Sequence, residues 1–396
     1  MNITITPGKL RGTVAAIPSK SQAHRLLICA AFANAPTELF CPQVNRDIEA
    51  TAACLSALGA AIVRTADGYR VEPITVIPKK AVLPCGESGS TLRFFLPIAG
   101  ALGVETTFLM EGRLPHRPLS PLWEEMERMG CRLSRPEENS LLCERKLRPG
   151  AYSIDGGVSS QFITGLLFAL PLLEGDSRLT VTGKTESRPY IDMTLSALKD
   201  FGLSVTEDTN TFLISPRPLT SPGRVHVEGD WSNAAFWLAA RALGSGLTVS
   251  KLNPDSPQGD RAAADCLTRL ENNAVIDASN IPDLVPVLAV AAAAKKGGCF
   301  INAGRLRLKE TDRLQTTAAL INNLGGHADI CEDALIVAGT GLKGGTVDAT
   351  GDHRIAMAAA VAATVWTDPV TVLGAESVEK SYPAFWQDYK MLGGQL

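Results

Sequence analysis

The 396-residue sequence has no large excess of either charge: 38 Lys and Arg stand against 41 Asp and Glu, a net charge of −3. Without a global positive field, neither nucleic acid nor a membrane is indicated as a partner, and any basic site has to be local. Long apolar runs are also missing. The N-terminus, MNITITPGKL, lacks the apolar stretch of a signal peptide and reads as a short strand, and Pro286 to Ala294 is too short and Ala-rich to span a bilayer. A soluble, cytoplasmic protein is expected. Nine cysteines are present, but they are odd in number, scattered and without a CxxC pair. That pattern argues for reduced thiols and against a disulfide framework or a zinc site. Cys29 and Cys54 fall inside apolar helical patterns, where packing is the expected role.

What is present is repetition. A polar turn rich in Gly, Ser and Asp, followed by an apolar helical run, recurs six times, beginning near Lys20, Glu87, Val158, Asp230, Asn280 and Asp352. Most copies are about 70 residues apart, the fourth interval being shorter. Between them recurs a more polar amphipathic helix, as in DIEATAACLSALG, LSPLWEEMERMG and YIDMTLSALKDFG, with apolar residues at helical spacing and Gly or Asn at the stop. LTVTG, FLISP, LTVSKL, ALIVAG and PVTVLG have strand composition.

The chain therefore reads as an α/β protein of six units in two domains of three. The Pro-rich stretch Ser215 to Arg224 is the natural boundary. Pairing of the first strand with the C-terminal half makes one domain discontinuous, 1–15 with 223–396, around a second domain at 16–222. The crossings are then expected near residues 15–20 and 217–223, with ligands in a cleft between the domains.

The helix starts carry the chemistry. Their unpaired N–H groups and partial positive charge favour anions, and here Lys20, Arg25, Arg93 and Arg354 stand beside Ser21, Ser90, Ser159 and Ser160. Lys20 is unfavourable for its own helix, so either a bound anion or an internal carboxylate compensates it. Val158 to Phe162 and Glu186 to Asp192 offer hydroxyls that suit phosphate oxygens or simply cap a helix. In LKETDRL, Lys309, Glu310, Asp312 and Arg313 read either as a solvated ion-paired face or, with Arg305 and Arg307, as positive charge beyond what the acids balance. Asp283, after Pro282, is either a cap or a base.

Taken in order, SKSQAHR, SGSTLR, RLPHRPL, DGGVSSQF, SRPYIDMT, IPD, LRLKETDRL, GDHRIAMA and EKSYPAFW resemble the 5-enolpyruvylshikimate-3-phosphate synthase family of enolpyruvyl transferases, nearly end to end. The resemblance implies two similar domains of three α/β units, an inside-out, barrel-like arrangement, with helix starts facing an interdomain cleft. It also implies the reaction: the 5-hydroxyl of shikimate 3-phosphate adds to C2 of phosphoenolpyruvate, and the tetrahedral intermediate loses phosphate. This is a step toward chorismate and the aromatic amino acids.

By match of motif, the shikimate 3-phosphate site comprises Lys20, Ser21, Arg25, Ser159, Ser160, Gln161, Ser187, Tyr190, Asp283, Arg305 and Lys309. The phosphoenolpyruvate site comprises Lys20, Gly89, Arg117, Gln161, Arg313, Arg354 and Lys380. The resemblance makes Asp283 the base and gives Lys20 and Glu310 the proton traffic at the methylene carbon. No cofactor or metal is implied, a monomer is expected, and glyphosate is expected to compete with phosphoenolpyruvate. Glu87 stands where many members have Asn, and is expected to turn away from the phosphate or pair with a cation; Arg305 stands where some have Asn. Gln22 and His24 read as structural.

Two other readings remain at this level. One is a UDP-N-acetylglucosamine enolpyruvyl transferase, which the Lys20-Ser21 pair and the absence of Cys from EGRLPHRPL disfavour. The other is a non-catalytic binder of phosphorylated ligands, which would gain from losing Asp283 and Glu310.

Overall fold

The computed structural model describes all residues from Met1 to Leu396. Twelve α-helices run through the chain: α1 (Lys20–Ala31), α2 (Arg46–Ala57), α3 (Gly89–Leu102), α4 (Leu122–Arg128), α5 (Ser160–Ala169), α6 (Arg188–Asp200), α7 (Trp231–Ala242), α8 (Ala263–Arg269), α9 (Val285–Ala294), α10 (Arg313–Asn323), α11 (His353–Ala362) and α12 (Phe385–Met391). The odd-numbered helices are the apolar ones. In α9 every residue from Val285 to Ala293 is buried, so the helix has no solvent face. The even-numbered helices are amphipathic: α6 buries Ile191, Thr194, Ala197 and Leu198 and exposes Lys199 and Asp200. Asn45, Ser88, Ser159, Asp230, Asp312 and Asp352 each cap a helix start with a side-chain oxygen. No helix is long and apolar enough to cross a membrane.

The chain divides into two compact units. One is continuous, Lys20–Val227; the other joins Met1–Ser19 to Glu228–Leu396. Each has its own hydrophobic core.

In the continuous unit, three four-stranded sheets repeat one pattern, a parallel pair followed by an antiparallel hairpin. Lys80–Gly86 runs parallel to Glu105–Met110, and Ser140–Glu144 and Arg132–Ser134 follow antiparallel. Ala151–Asp155, Ser177–Thr182, Thr211–Ile214 and Thr206–Asp208 do the same. The third sheet takes its parallel strand, Arg224–His226, from the end of the unit, beside Thr37–Phe40. This holds the Pro-rich stretch within the unit: Ala33 bridges Leu219, and the Ser221 N–H donates to Asn34. The chain leaves at Val227, a few residues past the stretch its prolines mark. Helices α1, α3 and α5 fill the interior. Gly165 of α5 lies so close to the Arg93 carbonyl of α3 that a Cβ there would collide with it.

In the discontinuous unit, Ala274–Asp277, Gly297–Ile301, Ala334–Ala338 and Ala328–Cys331 repeat the same pattern. The other two sheets borrow from the N-terminus. Asn2–Ile5 lies antiparallel to Val370–Leu373, and Arg11–Ala15 runs parallel to Gly246–Ser250. All nine cysteines are free thiols, and Cys29 and Cys54 are fully buried.

Candidate active site

In the continuous unit, the starts of α1, α3, α5 and α6 carry the candidate residues. Lys20 opens α1, and its Nζ lies 2.9 Å from Asp47, in the first turn of α2. The internal carboxylate allowed for in the sequence is thus present. Arg25, one turn further along, is only 2% exposed. Its Nε donates to Thr194 at 2.9 Å, Nη1 to the Ser21 carbonyl at 2.6 Å and Nη2 to the Tyr190 carbonyl at 2.8 Å. Burial lowers its pKa to about 10, still a cation at neutral pH. Arg25 therefore holds Ser21 and Tyr190 in place, tying α1 to α6.

Ser159 caps α5, accepting from the Gln161 N–H at 3.3 Å, and Ser160 is buried beside it. Gln161 is oriented from α3: Arg93 Nη1 donates to its Oε1 at 3.0 Å, and its Nε2 donates to Ser90 Oγ at 2.9 Å. Arg93 Nη2 also donates to the Pro118 carbonyl at 3.2 Å, next to Arg117. A Cβ on Gly89 would stand 2.6 Å from Arg117 Nη1 and 2.7 Å from Arg93 Nη1, so any larger residue at the start of α3 requires both guanidinium groups to shift. Glu87 extends over Gly112, whose φ of +55° suits glycine. Ser187, buried before α6, takes a left-handed backbone (φ 55°), which is uncommon for serine. His24 reads as expected: it is fully buried, 2.7 Å from Thr51 Oγ1 through Nδ1, and burial lowers its pKa to about 3.

The discontinuous unit assembles a charge cluster. Asp283 lies inside the turn Pro282–Leu284, and Leu284 takes the capping position of α9, so the cap alternative is not realised. Its oxygens meet Arg313 Nη1 at 2.9 Å, Arg354 Nη2 at 3.0 Å and Lys309 Nζ at 3.3 Å. Burial alone would raise the Asp283 pKa. Arg354, Lys309 and Arg313 outweigh it, against Glu310, and hold the carboxyl far below the usual carboxylate range.

Arg313 is the hub. It is 1% exposed, binds Asp352 through Nε at 2.9 Å and Nη2 at 3.2 Å, and also binds Glu310 and Asp283. Asp352 in turn caps α11 through the Arg354 N–H at 3.0 Å and accepts from Thr311 at 2.8 Å. Two expectations change here. The LKETDRL segment is no solvated face at Arg313, and its positive charge is offset in part, because Asp283 and Asp352 arrive from other elements. Arg305 lies half-buried in the turn Gly304–Leu308, and Lys380 ends the turn Ala375–Lys380.

The structure thus places Lys20, Ser21, Arg25, Gly89, Arg117, Ser159, Ser160, Gln161, Ser187 and Tyr190 on the continuous unit. Asp283, Arg305, Lys309, Glu310, Arg313, Arg354 and Lys380 lie on the discontinuous one. Asp47, Arg93 and Asp352 join these residues although no motif match marks them. For Arg93, the signal was its place at an apolar helix start.

The family model for EPSP synthase (3-phosphoshikimate 1-carboxyvinyltransferase) matches residues 5–389. This chain belongs to that family. A 3-phosphoshikimate 1-carboxyvinyltransferase of Clostridium kluyveri is 40% identical over 100% of this chain and 98% of its own. One of Clostridium beijerinckii is 39% identical over 99% and 98%. Among solved structures, an EPSP synthase from Acinetobacter baumannii superposes with a TM-score of 0.80 at 22% identity, covering 99% of this chain and 98% of that one. The last likeness concerns the fold, which is thereby the α/β enolpyruvyl transferase architecture of two three-unit domains.

Proposed function

We infer that this chain transfers the carboxyvinyl group of phosphoenolpyruvate to the 5-hydroxyl of shikimate 3-phosphate and releases phosphate, a step in aromatic amino acid biosynthesis. The full-length family membership carries this reading. The residues for it are proposed on motif and geometry. Ser21, Ser159, Ser160, Ser187, Tyr190, Arg305 and Lys309 bind shikimate 3-phosphate, with Arg25 fixing Ser21 and Tyr190 from behind. Gly89, Arg117, Gln161, Arg354 and Lys380 bind phosphoenolpyruvate. Lys20 serves both substrates.

Arg313 is proposed chiefly as the group that fixes Asp283, Glu310 and Asp352. Four of its five N–H donors are given to these carboxylates, which leaves a substrate anion one at most unless a carboxylate moves.

In the addition step the 5-hydroxyl oxygen bonds to C2, its proton passes to Asp283, and C3 takes a proton from Lys20 or Glu310. In the elimination step the C2–O bond to phosphate breaks, and the methyl carbon returns a proton as the double bond reforms. A carboxylate held by three cations is a weak base. When substrate anions draw Arg354 and Lys309 toward themselves, that hold weakens and the proton affinity of Asp283 rises. The fixed cations offset the charge of both substrates without reorganising at the moment of reaction. Glyphosate, an analogue with similar anionic groups, is expected to compete with phosphoenolpyruvate.

The decisive experiment is phosphate release from phosphoenolpyruvate with shikimate 3-phosphate, run beside UDP-N-acetylglucosamine. Turnover with the first alone supports the reading. Turnover with the second reassigns the acceptor, and no turnover with either removes the enzyme.

A further inference from the structure

Ser187 stands at the cap position of α6, yet its side chain makes no capping hydrogen bond, and its backbone lies in the left-handed region at φ 55° and ψ 38°. For a residue with a Cβ such a conformation is unfavourable and persists only where the surroundings hold it. The next residue is poorly placed as well. Arg188 opens the helix directly before Pro189, and a proline disfavours a helical backbone in the residue that precedes it. A cation in the first turn also opposes the helix dipole. Two adjacent residues are thus in locally unfavourable positions, and a contact from outside the turn is needed to keep them there.

That contact comes from the sheet. Arg188 Nη1 and Nη2 donate to the two carboxylate oxygens of Glu207 at 2.6 and 2.7 Å, and Nε donates to Asp192 at 2.6 Å. Glu207 lies in the edge strand Thr206–Asp208, opposite the buried Phe212. Isolated surface ion pairs are weak, but this one is two-pronged, only 24% exposed at Glu207, and joined by a second carboxylate. On the other side of Ser187, the Glu186 N–H donates to the Gly156 carbonyl at 3.2 Å. The Ser187 carbonyl itself accepts from the Tyr190 N–H at 3.1 Å.

We propose that Glu207, acting through Arg188, is a positioning residue for shikimate 3-phosphate: it holds the Ser187 backbone in the left-handed conformation that aims the serine hydroxyl at the substrate rather than at the helix start. The proposal rests on the assignment of Ser187 to shikimate 3-phosphate made above. Neither Glu207 nor Arg188 touches the substrate in this scheme, and the binding of phosphoenolpyruvate, assigned to other residues, should not feel their loss.

The test is the dissociation constant of shikimate 3-phosphate, measured by titration calorimetry on the full chain, so that no turnover is needed. Glu207→Ala is expected to weaken binding about fivefold, the scale of a partly exposed two-pronged ion pair. The KM for phosphoenolpyruvate at saturating shikimate 3-phosphate should stay unchanged. Equal affinity in wild type and variant overturns the proposal. So does a parallel rise in the KM for phosphoenolpyruvate, the mark of a general loosening. Glu207→Gln keeps the length of the side chain and removes its charge, and it should weaken binding in the same direction; wild-type affinity in that variant overturns the ion pair as the cause.

A double-mutant cycle asks whether the effect passes through Ser187. In a Ser187→Ala background the loss from Glu207→Ala should shrink to about twofold or less, because no hydroxyl is left to aim. A loss that persists in full means that Glu207 acts elsewhere, and overturns the proposal. Failure of wild type itself to bind shikimate 3-phosphate overturns the functional reading instead.

Discussion

At the scale of the single residue, Asp283 joins two properties that usually conflict. It is the candidate base, yet Arg313, Arg354 and Lys309 all lie within 3.3 Å of it. Asp283→Ala removes the proton acceptor and also leaves those cations less neutralised. The expected outcome is a fall in kcat of at least ~10²-fold with the KM for phosphoenolpyruvate unchanged or lower. Steady-state kinetics on both substrates separate the effects, and a near-normal kcat would remove Asp283 from the mechanism. Gly89 makes the complementary case. A Cβ at 2.6 Å from Arg117 and 2.7 Å from Arg93 cannot be accommodated without moving both guanidinium groups. Gly89→Ala is expected to raise the KM for phosphoenolpyruvate by about 10- to 100-fold and to spare that for shikimate 3-phosphate. An unchanged value would show that both arginines swing aside without cost.

At the scale of the element, the odd-numbered helices bear an unusual load, since their starts carry polar groups and their bodies are almost wholly buried. Helix α1 buries every residue from Ala23 to Ala31, His24 and Arg25 among them. The pKa of His24 is lowered to about 3 by burial, against about 6.5 in an unfolded chain. The folded state therefore favours the neutral ring. Its contribution is complete above pH 6.5 and is lost as pH falls toward 3, at about 1.4 kcal/mol per pH unit. Urea unfolding of the wild type should weaken between pH 6.5 and 4.5, above the range in which most carboxylates titrate. His24→Asn should be flatter over the same interval, and parallel curves would mean that water reaches the ring.

The helix starts were legible in the sequence because capping and amphipathic periodicity are local. Their counter-charges were not. Asp47 is 27 residues from Lys20, and Asp352 is 39 from Arg313. Only the packing of separate helices brings each pair together.

At the scale of the whole molecule, six repeats are legible as composition, whereas their closure into units depends on strands far apart in sequence. Arg224–His226 completes one sheet of the continuous unit beside Thr37–Phe40. Asn2–Ile5 and Arg11–Ala15 complete two sheets of the other unit, against Val370–Leu373 and Gly246–Ser250. The two units therefore differ in what they need in order to fold. Lys20–Val227 contains every strand of its three sheets and an uninterrupted core. Produced alone, it should give a cooperative thermal transition and the mixed α/β circular dichroism of its elements. Glu228–Leu396 alone lacks the two N-terminal strands, leaving edges unpaired, and it loses Ile5, Leu10, Val14 and Ile17 from its core. Those four side chains are each worth about 1.5–3 kcal/mol when buried, comparable in sum to the whole stability of a domain. This fragment should melt without cooperativity, and adding a Met1–Ser19 peptide should restore a transition whose midpoint rises with peptide concentration. A cooperative melt of Glu228–Leu396 without the peptide would show that the N-terminal strands are accessory, and that the repeats beyond Glu228 close on their own.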